Sequence, residues 1–264
     1  MGMVIVFFAV SILSSIAGSI CGIGGGVIIK PVLDATGIMS VSAISFLSGC
    51  TVLAMSVVSV YKNVRSKAAK LDLRIATGLA VGAAVGGVLG KTMFQSLKEA
   101  VGNEAVVGMT QALVLIAVTL GTLIYTVYKQ RIRTKTYTQI WLCVVIGILL
   151  GVMSSFLGIG GGPINLVVLA YFFSMSTKEA ALSSLYIIMF SQITSLIQTC
   201  ATGSIPKVSA AYLAAMVVGG ILGGTLGSKV NKKISEEGVN KLFIALMAVI
   251  IGNNIYNAVK FGMA

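Results

Sequence analysis

The sequence predicts an all-α polytopic membrane protein built as two inverted repeats. Each repeat is a broken or re-entrant Gly-rich helical hairpin plus three transmembrane helices. Three observations carry this reading: a scarcity of charge, unbroken apolar runs of span length, and the string GIGGG, which occurs twice. Of the 264 residues, 57% are hydrophobic and only 10% are charged, with a mean hydropathy of +1.02. A soluble domain carries roughly 25% charged residues, so this chain lacks the polar groups to cover a water-facing surface. A bilayer removes that demand. An α-helix needs about 20 apolar residues to cross ~30 Å of hydrocarbon. A closed β-barrel would instead show period-two alternation in segments of about 10 residues, and the apolar runs here are continuous.

The elements follow in order. An apolar stretch, Met3–Ile20, leads into GIGGG at Gly22–Gly26 and a short apolar piece, Val27–Leu33. A span over Val41–Tyr61 ends in the basic loop Lys62–Arg74, and spans over Ile75–Phe94 and Ala105–Tyr128 precede a second basic loop, Lys129–Lys135. The pattern then restarts with Ile140–Leu157, GIGGG at Gly158–Gly162, the short piece Pro163–Phe173, and spans over Ala180–Thr199, Val208–Val230 and Val239–Phe261. No basic segment precedes the first apolar run, so no cleaved signal peptide is expected.

Three segment pairs recur in the same order. Ser19–Ile29 aligns with Ser155–Asn165 at an offset of 136, Gly82–Gly90 with Gly219–Gly227 at 137, and Gly121–Lys129 with Gly252–Lys260 at 131. The whole chain, 1–264, reads as one membrane domain holding repeat 1 (1–130) and repeat 2 (138–264). If each broken unit folds back on itself, the repeats have three crossings each and face opposite ways; if it crosses once, they are parallel. Lys and Arg prefer the cytoplasmic side. The inverted arrangement puts Lys62, Arg65, Lys67, Lys70, Arg74, Lys129, Arg131, Arg133, Lys135, Lys178, Lys229, Lys232, Lys233 and Lys241 inside, 14 of the 19. The parallel arrangement keeps the first nine of these and adds Lys207 and Lys260, a split of 11 against 8, so inversion is the expectation. The same loops account for the net charge of +12, and no nucleic-acid partner is expected.

Four glycines within five residues break a helix, since each costs about 1 kcal/mol against Ala. Broken backbone at membrane depth persists only inside protein or beside a water-filled cavity. The short piece after each break is then a half-helix. Its N-terminus offers free N–H groups and about half a positive charge, and Gly lets a ligand approach the backbone. Two such tips related by pseudo-symmetry form an anion site of the kind found in secondary transporters. Candidate substrate-binding residues are Gly22, Gly24, Gly25, Gly26, Gly158, Gly160, Gly161 and Gly162, with Asn165, the matched serines Ser19 and Ser155, the matched serines Ser48 and Ser184, and Gln192. Lys30 lies one turn after Gly26; its ammonium either joins the site, snorkels, or pairs with Asp34. Gly82, Gly86 and Gly90 share one helix face at a spacing of four, the pattern of close helix packing. Pro163 fits the first turn of a helix.

The four cysteines, Cys21, Cys50, Cys143 and Cys200, stand isolated in apolar or small-residue surroundings, with no His in the chain and no metal-ligand spacing. They read as small buried hydrophobes, Cys21 being notable beside Gly22. No nucleophile, metal cluster or acid–base pair converges, so neither an enzyme nor a cofactor is expected. The seven acidic residues lie at span ends or in loops, leaving no mid-membrane carboxylate for a proton relay.

The paired GIGGG breaks, the Gly-rich third span and the duplicated layout resemble the TauE/SafE sulfite exporter family, also called toluene sulfonate uptake permeases, over essentially the whole chain. GIGGGVIIKPVL matches the family pattern with its Pro at Pro31; GIGGGPINLVVL has Val167 there and Pro163 instead. The resemblance implies a multi-pass transporter in the cell (inner) membrane, exporting small sulfur-containing anions such as sulfite or organosulfonates. An anion channel or an uptake permease for another small organic anion is the alternative. The expected partners are the small anionic substrate and the lipid bilayer, and the sequence leaves the oligomeric state open.

Overall fold

The computed structural model describes residues 2–66, 69–159 and 161–263. Lys67 and Gly160, both named above, lie outside the described residues. Those residues form α1 (Gly2–Cys21), α2 (Gly26–Thr36), α3 (Val41–Arg65), α4 (Leu73–Val101), α5 (Glu104–Tyr128), a 3-10 turn (Lys129–Arg131), α6 (Ile140–Phe156), α7 (Pro163–Phe173), α8 (Thr177–Ala201), α9 (Ala210–Lys233) and α10 (Glu236–Gly262), with no strand among them. Seven of these helices, α1, α3, α4, α5, α8, α9 and α10, are long and apolar enough to cross a membrane. α2 and α7 have 11 residues each, about 16 Å, or half the thickness of a bilayer core.

The distribution of polarity is that of a protein in lipid. Large apolar side chains line the outside, among them Ile5, Leu13, Trp141 and Leu149. Hydroxyls fill the interior instead: Ser11, Ser15, Ser48, Thr51, Ser59 and Ser184 are all buried. Several bond carbonyls or one another, as is usual in such an interior: Ser11 and Thr51, for example, donate to the carbonyls of Phe7 and Leu47, whereas Ser15 and Ser48 have no partner among the described residues.

The broken units are hairpins. The N–H groups of Lys135 and Tyr137, just before α6, donate to the carbonyls of Tyr171 and Phe172 at the end of α7, at 2.7 and 3.0 Å. α6 therefore enters and α7 returns to the same face. At the opposite face Phe7 of α1 shares a core cluster with Leu33 of α2. The end of α10 holds the end of α2 there: Asn257 donates to the Pro31 carbonyl and Lys260 to that of Ala35. The face holding the ends of α2 and α10 is called face A below, and that holding the end of α7 face B.

Small residues set the helix pairing. α4 packs along α6 and α1 along α9. A side chain at Gly82, Gly86 or Gly90 would run into the carbonyls of Val144, Ile148 and Val152 on α6. Along α9, Cβ atoms on Gly219, Gly223 and Gly227 would stand 2.6–2.8 Å from those of Ser11, Ser15 and Ser19. Backbones this close gain dispersion contacts and Cα–H···O contacts without needing a hydrophobic driving force.

Gly86→Leu is therefore expected to lower the thermal unfolding midpoint of the detergent-purified protein by roughly 5–10 °C. Gly121→Ala, on a helix with nothing within 4 Å of the added carbon, is expected to leave it unchanged or slightly raised.

Candidate functional site

Six helices begin on a capping side chain: Ser40, Asp72, Asn103, Ser176, Ser209 and Ser235 each accept from a first-turn N–H. The two half-helices begin on Gly25 and Gly162, which offer no such oxygen. α6, starting at the membrane surface from Gln139, also lacks one. The tips of α2 and α7 thus lie in the interior with their first N–H groups and the positive end of the helix dipole uncompensated by a cap. The chain reaches both tips through left-handed backbone, with φ of 74° at Gly22 and 64° at Gly158, a conformation that strains any residue with a Cβ.

The two breaks meet each other. A Cβ on Gly26 would collide with the Ile159 carbonyl and stand 2.8 Å from Ser48 Oγ. One on Gly161 would collide with Ile188 and stand 3.4 Å from the Ile23 carbonyl oxygen. Gly22 packs on Ala181 of α8, and Gly158 on Ser45 of α3. Beside this contact are polar groups with unused capacity. Ser48 Oγ is fully buried without a hydrogen-bond partner among the described residues. Asn165 Nδ2 donates to Ser184 Oγ at 3.3 Å, and Asn165 Oδ1 has no partner there. Leaving such groups unsatisfied costs about 1–3 kcal/mol each.

Lys30 and Asp34 settle into a buried pair one turn apart, Nζ to Oδ2 at 2.6 Å, both about 5% exposed. The Lys30 stem runs beside the second break, its Cε 3.4 Å from where a Gly158 side chain would start. The ammonium is thus near the junction while its charge is matched by Asp34.

Hollows approach the junction from both faces. On face B a cavity of about 300 Å³ is lined by Lys129, Thr177 and Asn240 and reaches Cys21, next to the first break. Lys129 Nζ donates there to Asn240 Oδ1 at 2.9 Å and to Thr177 Oγ1 at 3.4 Å. Burial holds its pKa below the usual lysine value, the Glu236 carboxylate opposing. On face A a cavity of about 510 Å³ is bordered by Lys98, Glu104 and Lys91. Beyond Lys91 lies a smaller space of about 30 Å³ touching Ser155, Gly158 and Gln192.

The family profile described as Sulfite exporter TauE/SafE matches residues 7–253. The chain belongs to this family. No curated protein and no solved structure matches it. Membership in a transporter family, with seven apolar helices of span length, makes it a multi-pass membrane transport protein.

In this TauE/SafE chain the structure brings together Gly26, Ser48 and Gly161 at the junction, with Asn165 and Ser184 bonded to each other and Ser155, Gly158 and Gln192 around the small cavity. Gly22 and Gly25 pack against α8 and α1, and Gly24 turns the chain with a φ of 76°. A Cβ on Gly162, the N-cap of α7, would meet Ile159 and Ile164 at ordinary contact distance, 3.5–4.0 Å. Ser19 is elsewhere, bonded to Ser59, Ser228 and the Gly224 carbonyl where α1, α3 and α9 meet. The sequence reading missed Ser45 and Lys91. Lys91 carried a signal, a cation within a span, but it stands close enough to the span end to read as an interfacial charge.

Lys30→Met leaves Asp34 buried and unpaired, and is expected to cost about 3–5 kcal/mol of stability. Lys30→Met/Asp34→Leu removes both charges and is expected to recover most of that loss. Thermal unfolding of the three proteins in detergent measures it.

Proposed function

We propose that this protein exports small sulfur-containing anions, sulfite or compact organosulfonates, and binds them where the uncapped starts of α2 and α7 meet. The observation carrying this reading is the contact of the two breaks between hollows that open to opposite faces. An anion arriving from either face meets free N–H groups and the positive ends of two helix dipoles. The Gly26–Ile159 contact lies between the hollows without an open pore, which favours a transporter that rocks or gates its halves over a channel.

In this reading residues 1–130 and 138–264 are inverted repeats in one membrane domain. The hairpin geometry of α6 and α7, returning to face B while α1 and α2 return to face A, supports the inversion. Face B carries Lys62, Arg65, Lys129, Lys178, Lys229, Lys232 and Lys233, and the preference of Lys and Arg for the cytoplasm makes it the inner side of the cell membrane. An anion leaving an inside-negative cell is driven outward by about 2.3 kcal/mol per charge per 100 mV, enough for export without a coupling ion. No step of bond-making chemistry is part of this function.

In proteoliposomes with an imposed potential, the wild type is expected to carry sulfite flux that follows the potential. A strict need for a proton or sodium gradient would count against uncoupled export. Gly161→Leu forces a side chain into Ile188 and is expected to abolish flux while the protein still inserts. Single cysteines at Lys207 and Lys233 test the orientation; labelling is expected from outside at the first and inside at the second, and the reverse would sink the inverted arrangement.

A further inference from the structure

We propose that Lys91 is the anion-binding residue of a subsite just outside the junction, selective for compact oxyanions; this rests on the transport reading above. Lys91 lies on α4 ten residues before its end at Val101, roughly 15 Å along the helix. It is half-buried and borders both the 510 Å³ hollow and the 30 Å³ space that ends at Gly158. A solute passing between face A and the second break goes by its ammonium.

The charge makes no ion pair among the described residues, although Glu99 and Glu104 border the same 510 Å³ hollow. Lys91 makes no hydrogen bond among the described residues either; its ammonium lies 5.5 Å from the centre of the Phe94 ring. The other cations near the cavities are engaged: Lys30 with Asp34, Lys98 with Glu104, Lys129 with Asn240. An uncompensated cation at this depth is costly, and a bound anion removes the cost. Beyond it the small space is hydroxyl-lined, by Ser45, Ser155, Ser195 and Thr199, and Ser45 Oγ is buried without a partner among the described residues. Thr199 Oγ1 already donates to the Ser195 carbonyl at 2.8 Å and Ser155 Oγ stands 3.4 Å from Ser191 Oγ, which leaves Ser45 and Ser195 as the hydroxyl donors for oxygens of an anion whose charge Lys91 neutralises.

The corresponding place beside the first break is shut. Ser19, Ser59 and Asn63 stand 136 residues before Ser155, Ser195 and Thr199, and Ser228 stands 137 after Lys91. There the hydroxyls bond one another: Ser19 to Ser59 at 2.8 Å, Ser19 to Ser228 at 3.2 Å, with Asn63 Nδ2 donating to Ser228 Oγ at 3.5 Å. Beside the second break that closed network gives way to a cation, Lys91 of the first repeat, and an open space. At 30 Å³ the space has room for about two waters. That scale takes one or two oxygens of a compact oxyanion whose remainder sits beside Lys91 at the edge of the outer hollow, and leaves no room for an aryl ring.

The test is calorimetric binding of sodium sulfite, sodium sulfate and sodium benzenesulfonate to the full chain in nanodiscs, for wild type, Lys91→Gln and Lys91→Arg. Wild type is expected to bind sulfite or sulfate more tightly than benzenesulfonate. Lys91→Gln is expected to weaken that binding by roughly tenfold or more, and Lys91→Arg by about threefold at most. Unfolding midpoints of the neutral variant are expected to stay level or rise, since Lys91 makes no bond among the described residues and its charge is uncompensated; Lys91→Met replaces Lys91→Gln if the latter does not fold. Unchanged affinity in the neutral variant, a wild type that binds none of the three, or tighter binding of benzenesulfonate overturns the proposal. Wild-type flux read separately in proteoliposomes distinguishes the failures: flux without Lys91 dependence removes the subsite and keeps the transporter, and absent flux removes the transport reading.

Discussion

The constraint on which the structure depends is that backbone cannot be left bare in hydrocarbon. Each break interrupts the N–H to carbonyl ladder near mid-membrane, where an unpaired group costs several kcal/mol. The fold answers by putting both breaks in one place and wrapping them in protein. Gly26 abuts the Ile159 carbonyl, Gly161 approaches that of Ile23, and the flanking glycines rest on α3 and α8. Only glycine permits such contact, because a Cβ at Gly26 or Gly161 would overlap atoms of the opposing elements.

Much else follows from holding that junction. α4 lies on α6, and α1 on α9, through glycine and serine faces whose spacing of four brings backbones together. The half-helices are clamped at their far ends, α2 by Asn257 and Lys260, α7 by the strand-like pairing of residues 135–137 with Tyr171 and Phe172. A half-helix fixed at its C-terminus presents its N-terminus to the junction without side-chain capping. The same arrangement that satisfies the membrane thus leaves two helix starts without side-chain caps, the donors on which the proposed anion site rests.

The sequence made the skeleton legible because its signals are local. Apolar run length located every long helix, four glycines in five marked both breaks, and Pro163 announced the first turn of α7, where it stands. The i, i+4 spacing of Gly82, Gly86 and Gly90 marked a close-packing face, and the structure sets that face on α6. The site was legible only in part, because its members come from distant segments. Ser19 and Ser155 occupy matching positions, yet one closes a hydroxyl cluster and the other lines a cavity. That difference belongs to packing and not to the repeat pattern. Lys30 left three roles open until its neighbours were known, and Lys91 gains meaning only from the two hollows it borders.

The central claim is that the two breaks form one anion site. Hydrogen exchange of the backbone amides, followed by mass spectrometry in nanodiscs with and without sulfite, tests it directly. Exchange is expected to slow together in the peptides covering Gly22–Ile29 and Gly158–Asn165, while the basic loops are unaffected. Protection of only one break, or of neither while sulfite is transported, would contradict a shared site.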